Sequence, residues 1–183
     1  MSCYNFSMVE TIVLGAGCFW CSEAAYLRLK GVISVRSGYA GGGQPSPTYE
    51  RVCTGSTGHA EVVQVEYDPA IVTTQQLLSV FFTIHDPTTL NRQGADIGTQ
   101  YRSIILYTTD EQKEIAEKYI AKLSQDKIWK DPIVTEIKKL ESFYESEADH
   151  YRYYELNKES SYCRIVINPK LEKLRVEHAD LLK

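Results

Sequence analysis

The sequence predicts an α+β fold: an antiparallel sheet of the split-βαβ, ferredoxin-like kind, with helices on one face and additional C-terminal helices. Three observations carry this. Strand-like and helix-period runs follow one another in the order βαββαβ as far as residue 107, which is the split-βαβ pattern. Further amphipathic stretches begin at about residue 109, beyond what that pattern uses. The 183 residues are 43% hydrophobic and 24% charged, a balance that suits one domain over 1–183, with residues 1–10 as a short N-terminal extension.

Residues 11–14 read as a short buried strand, followed by the turn Gly15-Ala16-Gly17. A helix over 19–30 places Trp20, Ala24 and Leu27 on one face, and Gly31 stops it. Residues 32–39 form a second strand. A Gly/Pro/Ser-rich loop over 38–57 is longer than a mere connection needs, which points to function. Alternation makes 61–67 a strand. Residues 74–84 are a helix with Leu77, Leu78, Phe81 and Phe82 inward, and 85–102 is a second long polar loop. After a strand over 103–107, Thr109 and Gln112 form a capping-box pair. They open a helix whose inner stripe is Ile115, Ala116, Tyr119, Ile120 and Leu123. Residues 133–137 read as a strand and 146–157 as a helix carrying three tyrosines. Asn168 and Pro169 suit the N-cap and first position of a last helix, with Leu171, Leu174, His178 and Leu181 in register.

Lys and Arg number 20 against 24 Asp and Glu, a net charge of −4 that argues against a nucleic-acid partner. The most apolar run, 69–85, contains Thr73, Thr74, Gln75 and Gln76 and lies between Asp68 and Asp86, so no membrane association is expected. The first ten residues lack a basic start followed by an apolar core, which places the chain in the cytoplasm. Five cysteines, an odd number in a reducing compartment, argue against a disulfide framework and leave thiols for chemistry.

Cys18 follows a buried strand and a glycine turn and opens a helix, where the dipole and free N–H groups favour a thiolate nucleophile. A buried, inert cysteine fits the position equally well. Glu61 beside an apolar wall would hold its proton and act as an acid, although a solvated strand-end glutamate is the commoner fate. The two long loops hold Tyr49, Cys53 and His59, then Asn91, Asp96, Gln100 and Tyr101. Tyrosine hydroxyls there can donate to an oxygen that gains charge. A Cys18–His59 dyad is a weaker alternative. Cys18 and Cys21 form a C-x-x-C that could close a thioredoxin-like redox disulfide. It could also supply half of a zinc site with Cys53, His59 or Cys163, but no second pair completes one, so no metal is expected. Phe19 and Trp20 are either core residues or the wall of an apolar pocket.

Several segments now fall into a known order: Gly17-Cys18-Phe19-Trp20 with Glu23, Gly38-Tyr39-Ala40-Gly41-Gly42, Pro47-Thr48-Tyr49, Thr57-Gly58-His59-Ala60-Glu61-Val62-Val63, Tyr67-Asp68-Pro69, His85-Asp86-Pro87, Arg92-Gln93-Gly94, Asp96 and Gly98-Thr99-Gln100-Tyr101-Arg102-Ser103. Together they resemble the peptide methionine sulfoxide reductase A family over residues 11–170. The resemblance implies thiol-dependent reduction of methionine S-sulfoxide, free or in oxidised proteins. It implies Cys18 as nucleophile, Glu61 as acid, and Tyr49 and Tyr101 as hydroxyls holding the sulfoxide oxygen. Phe19 and Trp20 become the methyl pocket, and Asp96 lies near the substrate backbone nitrogen. A sulfenic acid on Cys18 would condense with a second thiol, and thioredoxin, or dithiothreitol in vitro, would reduce the disulfide without any bound cofactor. Cys163, in a polar segment read as mobile, resembles a family resolving position; Cys21 is the second choice. A monomer is expected. Two departures stand out: Cys21 replaces the usual glycine, as in a subgroup, and the C-terminus is a charged helix without the Gly-rich, Cys-bearing tail of some relatives. The alternatives are a thioredoxin-like C-x-x-C disulfide oxidoreductase and a non-catalytic α+β binding module.

Overall fold

The computed structural model describes residues 8–183, so Cys3 and most of the N-terminal extension lie outside it. Strand β1 (Glu10–Ala16) leads through Gly17, at φ +89°, into helix α1 (Phe19–Tyr26). Next come β2 (Val32–Ala40), the short helix α2 (Tyr49–Cys53), β3 (Ala60–Tyr67) and α3 (Thr74–Ile84). The two-residue strands β4 (Arg92–Gln93) and β5 (Asp96–Ile97) form a hairpin, and a 3₁₀ turn over Thr99–Tyr101 precedes β6 (Ser103–Tyr107). Helix α4 (Asp110–Gln125) is followed by β7 (Glu136–Lys139), β8 (Phe143–Glu145), α5 (Tyr153–Leu156) and α6 (Asn168–Glu177).

The main sheet runs β7-β6-β1-β3-β2-β8. Its central four strands are the expected split-βαβ unit and pair antiparallel throughout. β8 adds antiparallel to β2, but β7 lies parallel to β6, so the sheet is mixed rather than wholly antiparallel. The reason is the connection: α4 carries the chain back along the sheet, and a helical crossover returns a strand in the same direction. One sheet face, with Ile12, Leu14, Val63, Val65 and Ile105, belongs to the large core under the helices. The other buries Val13, Ala40, Ala60, Val62, Ile104 and Leu106 beneath Leu140 and Phe143. Among the described residues no helix is long and apolar enough to cross a membrane.

Local signals placed α3 and β6 to the residue. In α3 the Thr73 hydroxyl accepts from the Gln76 N–H at 3.2 Å, and Gln76 accepts in return from the Thr73 N–H at 2.9 Å. Elsewhere the structure corrects the sequence. α1 ends at Tyr26, because Leu29 pairs with Leu182 and Lys30 donates to the Leu181 carbonyl. It has no single inner stripe. Residues 21–26 are all buried, while Trp20 and Leu27 are only half-buried, because sheet and C-terminal helices sandwich the helix. Before α4 only half of the capping box forms. Thr109 accepts from the Gln112 N–H, but the Gln112 side chain turns to the Thr108 N–H and the Thr11 carbonyl.

The predicted strand at 133–137 lies instead at 136–139. The predicted helix over 146–157 is broken into a 3₁₀ turn (Ala148–His150) and α5, with Arg152 left-handed at φ +50° between them. Asn168 does not cap the last helix. It is already helical and accepts from the Tyr154 hydroxyl, because a π turn over Cys163–Ile167 runs straight into α6. Cys163 therefore sits fully buried in helical structure, not in a mobile segment.

Candidate active site

Cys18 caps the N-terminus of α1 at the end of β1. In the register of β3 against β2, Glu61 faces Tyr39 two residues beyond the Val63–Ser37 pair. The alternation is ambiguous because β3 buries both faces at its start: Ala60 and Val62 belong to the smaller core, while Glu61, Val63, Val65 and Tyr67 are buried on the other face. The Glu61 carboxylate accepts the Phe19 N–H at 3.1 Å, which ties β3 to the start of α1. The hairpin brings Asp96 to the same place and the 3₁₀ turn brings Tyr101. The helix α2, hidden within the long loop, brings Tyr49. All seven of Cys18, Phe19, Trp20, Tyr49, Glu61, Asp96 and Tyr101 line one pocket of about 160 Å³, joined by Tyr162.

The electrostatics depart from the sequence expectation at Cys18. Burial, then Cys21 and Glu61 nearby, push its thiol well above the ordinary value, although the Tyr162 hydroxyl opposes this. The α1 amide that would have favoured a thiolate, the Phe19 N–H, is spent on Glu61. The adjacent Cys21 moves the other way, to about 7, because the Cys18 thiol hydrogen-bonds to it and Lys170 and Tyr162 add to the effect. Burial raises Glu61 to about 8 against the pull of the Phe19 N–H, with Asp96 and Cys21 adding to the rise. It is a proton-bearing acid at neutral pH. Tyr49 and Tyr101 are likewise pushed up by burial and keep their hydroxyl protons.

Three aromatic groups escaped the sequence reading. Tyr162 donates to Asp96 at 2.8 Å. His150 Nδ1 accepts from the Trp20 indole N–H at 3.1 Å, and its ring lies 5.0 Å from Phe19 and 4.6 Å from Tyr49. Tyr153 stacks on Trp20 at 3.6 Å with the planes 5° apart. The signal for Tyr153 was the tyrosine-rich run at 151–154, and a continuous helix there would have pointed its rings in several directions; His150 and Tyr162 carried no such signal.

His59 is elsewhere. Its Nδ1 accepts the Gly42 N–H and its Nε2 donates to the Gln44 carbonyl, so it pins the long loop and forms no dyad with Cys18. Cys53 is exposed beside Tyr49, and Cys163 is buried behind Tyr162, outside the pocket lining. Among the described residues no three His, Cys, Asp or Glu side chains are grouped to hold a metal ion. A larger cleft of about 490 Å³ at the end of α4 is lined by residues such as Lys127, Trp129 and Pro132 and contains no cysteine.

The family model described as peptide methionine sulfoxide reductase matches residues 10–181. Peptide methionine sulfoxide reductase MsrA of Natronomonas pharaonis is 55% identical over 173 residues, covering 94% of this chain and 97% of that one. The chain belongs to this reductase family. Among solved structures, Mxr1 from Saccharomyces cerevisiae in reduced form has a TM-score of 0.77 at 38% identity, over 87% of this chain and 92% of that one. Mxr1 has also been solved in complex with Trx2, with a TM-score of 0.54 at 28% identity over 84% and 90% of the two chains. Membership in the reductase family disfavours both a bare C-x-x-C disulfide oxidoreductase and a non-catalytic module.

Proposed function

We propose that this reductase converts the S epimer of methionine sulfoxide, free or in proteins, to methionine, with Cys18 as nucleophile and Glu61 as acid. One observation carries the reading: a thiol and a carboxyl that burial raises to about 8 meet in a pocket whose other walls are three phenols, the Phe19 and Trp20 rings and Asp96. The Cys18 sulfur bonds to the sulfoxide sulfur while the oxygen takes a proton from Glu61. The S–O bond and the new sulfur–sulfur bond break as the hydroxyl passes to Cys18, leaving methionine and a sulfenic acid. Two electrons move from thiol to sulfoxide, and the proton released by Cys18 restores Glu61. Tyr49 and Tyr101 donate to the oxygen as its charge grows. Phe19 and Trp20 receive the methyl group, and Asp96, held by Tyr162, faces the substrate backbone nitrogen.

The sulfenic acid then condenses with a second thiol, releasing water and forming a disulfide. Cys163 and Cys21 are the two candidates; Cys21 lies one turn along α1, its N–H bonded to the Cys18 carbonyl, while Cys163 is fully buried at the start of a π turn that packs against α1. Thioredoxin would reduce the disulfide, a role supported by the Mxr1–Trx2 complex. No bound cofactor enters the scheme, the cytoplasm supplies the reductant, and one chain brings every pocket residue, so a monomer suffices. The test is reduction of resolved sulfoxide epimers with dithiothreitol. The S form should turn over and the R form should not, because exchanging methyl and oxygen would set an unpaired oxygen against Trp20, at a cost of about 1–3 kcal/mol. Cys18→Ser should be inactive. Equal turnover of both epimers, or an active Cys18→Ser, would overturn the scheme.

A further inference from the structure

Glu23 is a buried acid that the proposed reaction does not use. It lies on α1 one turn beyond Trp20 and is fully buried. Its Oε1 accepts the backbone N–H of Arg152 at 3.2 Å, while Oε2 is buried without a partner. Arg152 is left-handed at φ +50°, a conformation that non-glycine residues rarely adopt and keep only when something holds it. On its two sides stand His150, which accepts the Trp20 indole N–H, and Tyr153, which stacks on the same ring.

We propose that Glu23 is a positioning residue: it clamps residues 150–153 over α1 and so holds the Trp20 wall in place for the substrate methyl group. The inference rests on the reading of Phe19 and Trp20 as the methyl pocket. Without the clamp Arg152 relaxes to an ordinary backbone, the His150 and Tyr153 rings draw back, and the half-exposed Trp20 regains rotamer freedom. The loss falls on substrate binding, because Glu61 is held separately, by the Phe19 N–H.

The clamp is also linked to pH. Burial raises the Glu23 carboxyl to about 7, and Glu155 adds to the rise, while the Arg152 and Tyr153 N–H groups and the Arg152 charge oppose it. The charged groups around it are thus Arg152 and Glu155, with Arg28 at the end of α1 paired to Glu155 at 3.5 Å. The clamped state keeps the proton and an open, hydrated state does not, so the clamp loosens as pH rises through 7. His150 is lowered by burial, and its protonation would remove the Trp20 acceptor only at the acid end.

The experiment is single-turnover reduction of methionine S-sulfoxide, fitted for half-saturating concentration and limiting rate. Glu23→Leu should raise the half-saturating concentration about tenfold and leave the limiting rate within about threefold. Glu23→Gln keeps one acceptor and should restore most of the binding, but without the loosening near pH 7. A Trp129→Phe background isolates Trp20 fluorescence, which acrylamide should quench more strongly in Glu23→Leu. A folded Glu23→Leu protein with unchanged half-saturation, or a Glu23→Gln protein that retains the pH step, overturns the proposal. If Glu23→Leu does not fold, the Glu23→Gln pH profile decides alone. Trp20→Ala separates the two readings. If it leaves half-saturation unchanged, the methyl pocket itself is wrong; if it raises it and Glu23→Leu does not, only the clamp fails.

Discussion

At the scale of a single residue, the proposed acid is Glu61. A carboxyl at about 8 is largely protonated at pH 7, and an acid whose pKa lies near the working pH is the most effective kind. Glu61→Gln keeps a donor but cannot give up its proton, so the rate of sulfoxide reduction should fall about 10²-fold, the lower end for acid catalysis, with Tyr49 and Tyr101 covering part of the loss. The wild-type rate should decline as pH rises through 8, and the variant should lose that limb in a single-turnover pH series. An unchanged rate in Glu61→Gln would place the acid elsewhere. The same shift has a stability consequence. The folded protein holds the Glu61 proton more tightly than the unfolded chain, so the contribution is fully present below the ordinary carboxyl value of 4.5 and is lost as pH climbs through 8. Melting temperature should therefore drop between pH 5 and 9 in the wild type, and drop less in Glu61→Gln.

The two cysteines that compete to resolve the sulfenic acid differ in the elements that hold them. Cys21 lies in the first turn of α1, where its N–H reaches back to the Cys18 carbonyl at 3.2 Å. A disulfide there needs local adjustment of one turn. Cys163, fully buried, begins a π turn that is fused to α6 and packs against α1, the helix that Cys18 opens. Closing the longer loop adds little entropy cost. If Cys163 resolves, Cys163→Ser should lose thioredoxin-coupled turnover while retaining one turnover of sulfoxide, and mass spectrometry should find an 18–163 bridge. If Cys21 resolves, the same signature moves to Cys21→Ser and the bridge is 18–21. From sequence alone Cys163 ranks first, because the polar run before it reads as mobile; that run instead continues as helix into the π turn.

The pocket depends on the whole sheet as well as on its nearest elements. β2 carries Gly38 against β8, and a Cβ at Gly38 would lie 2.3 Å from the Tyr144 carbonyl and 2.5 Å from the Phe143 ring. Only glycine lets the edge strand approach. β8 leads directly into Glu147, which accepts from both the Tyr39 hydroxyl at 2.7 Å and the Tyr49 N–H at 2.8 Å, and then into His150. Gly38→Val should displace β8 and carry the disturbance into the Trp20 wall. The expected outcome is a destabilisation of about 1–3 kcal/mol by overpacking, measured in urea, together with weaker substrate binding. A stability loss with unchanged binding would show that β8 and the pocket are independent.

The sequence by itself determined the order of the central strands and helices, the limits of α3 and β6, and seven pocket residues, these last through motifs rather than periodicity. Those features are encoded over a few neighbouring positions: a capping pair, an apolar spacing, a glycine turn. Only the tertiary structure decided that both faces of β3 are buried where Glu61 lies, that β7 runs parallel, and that Tyr162, His150 and Tyr153 complete the site. It also makes burial, not the helix dipole, the dominant influence on the Cys18 thiol, which it raises. A proton's position in this pocket depends on desolvation and on which groups crowd together. Here those groups come from β3, the hairpin and the C-terminal helices, 42 to 130 residues apart in the chain. No local pattern around Cys18 carries that information, because burial exists only once the sheet and the C-terminal segments have closed around it.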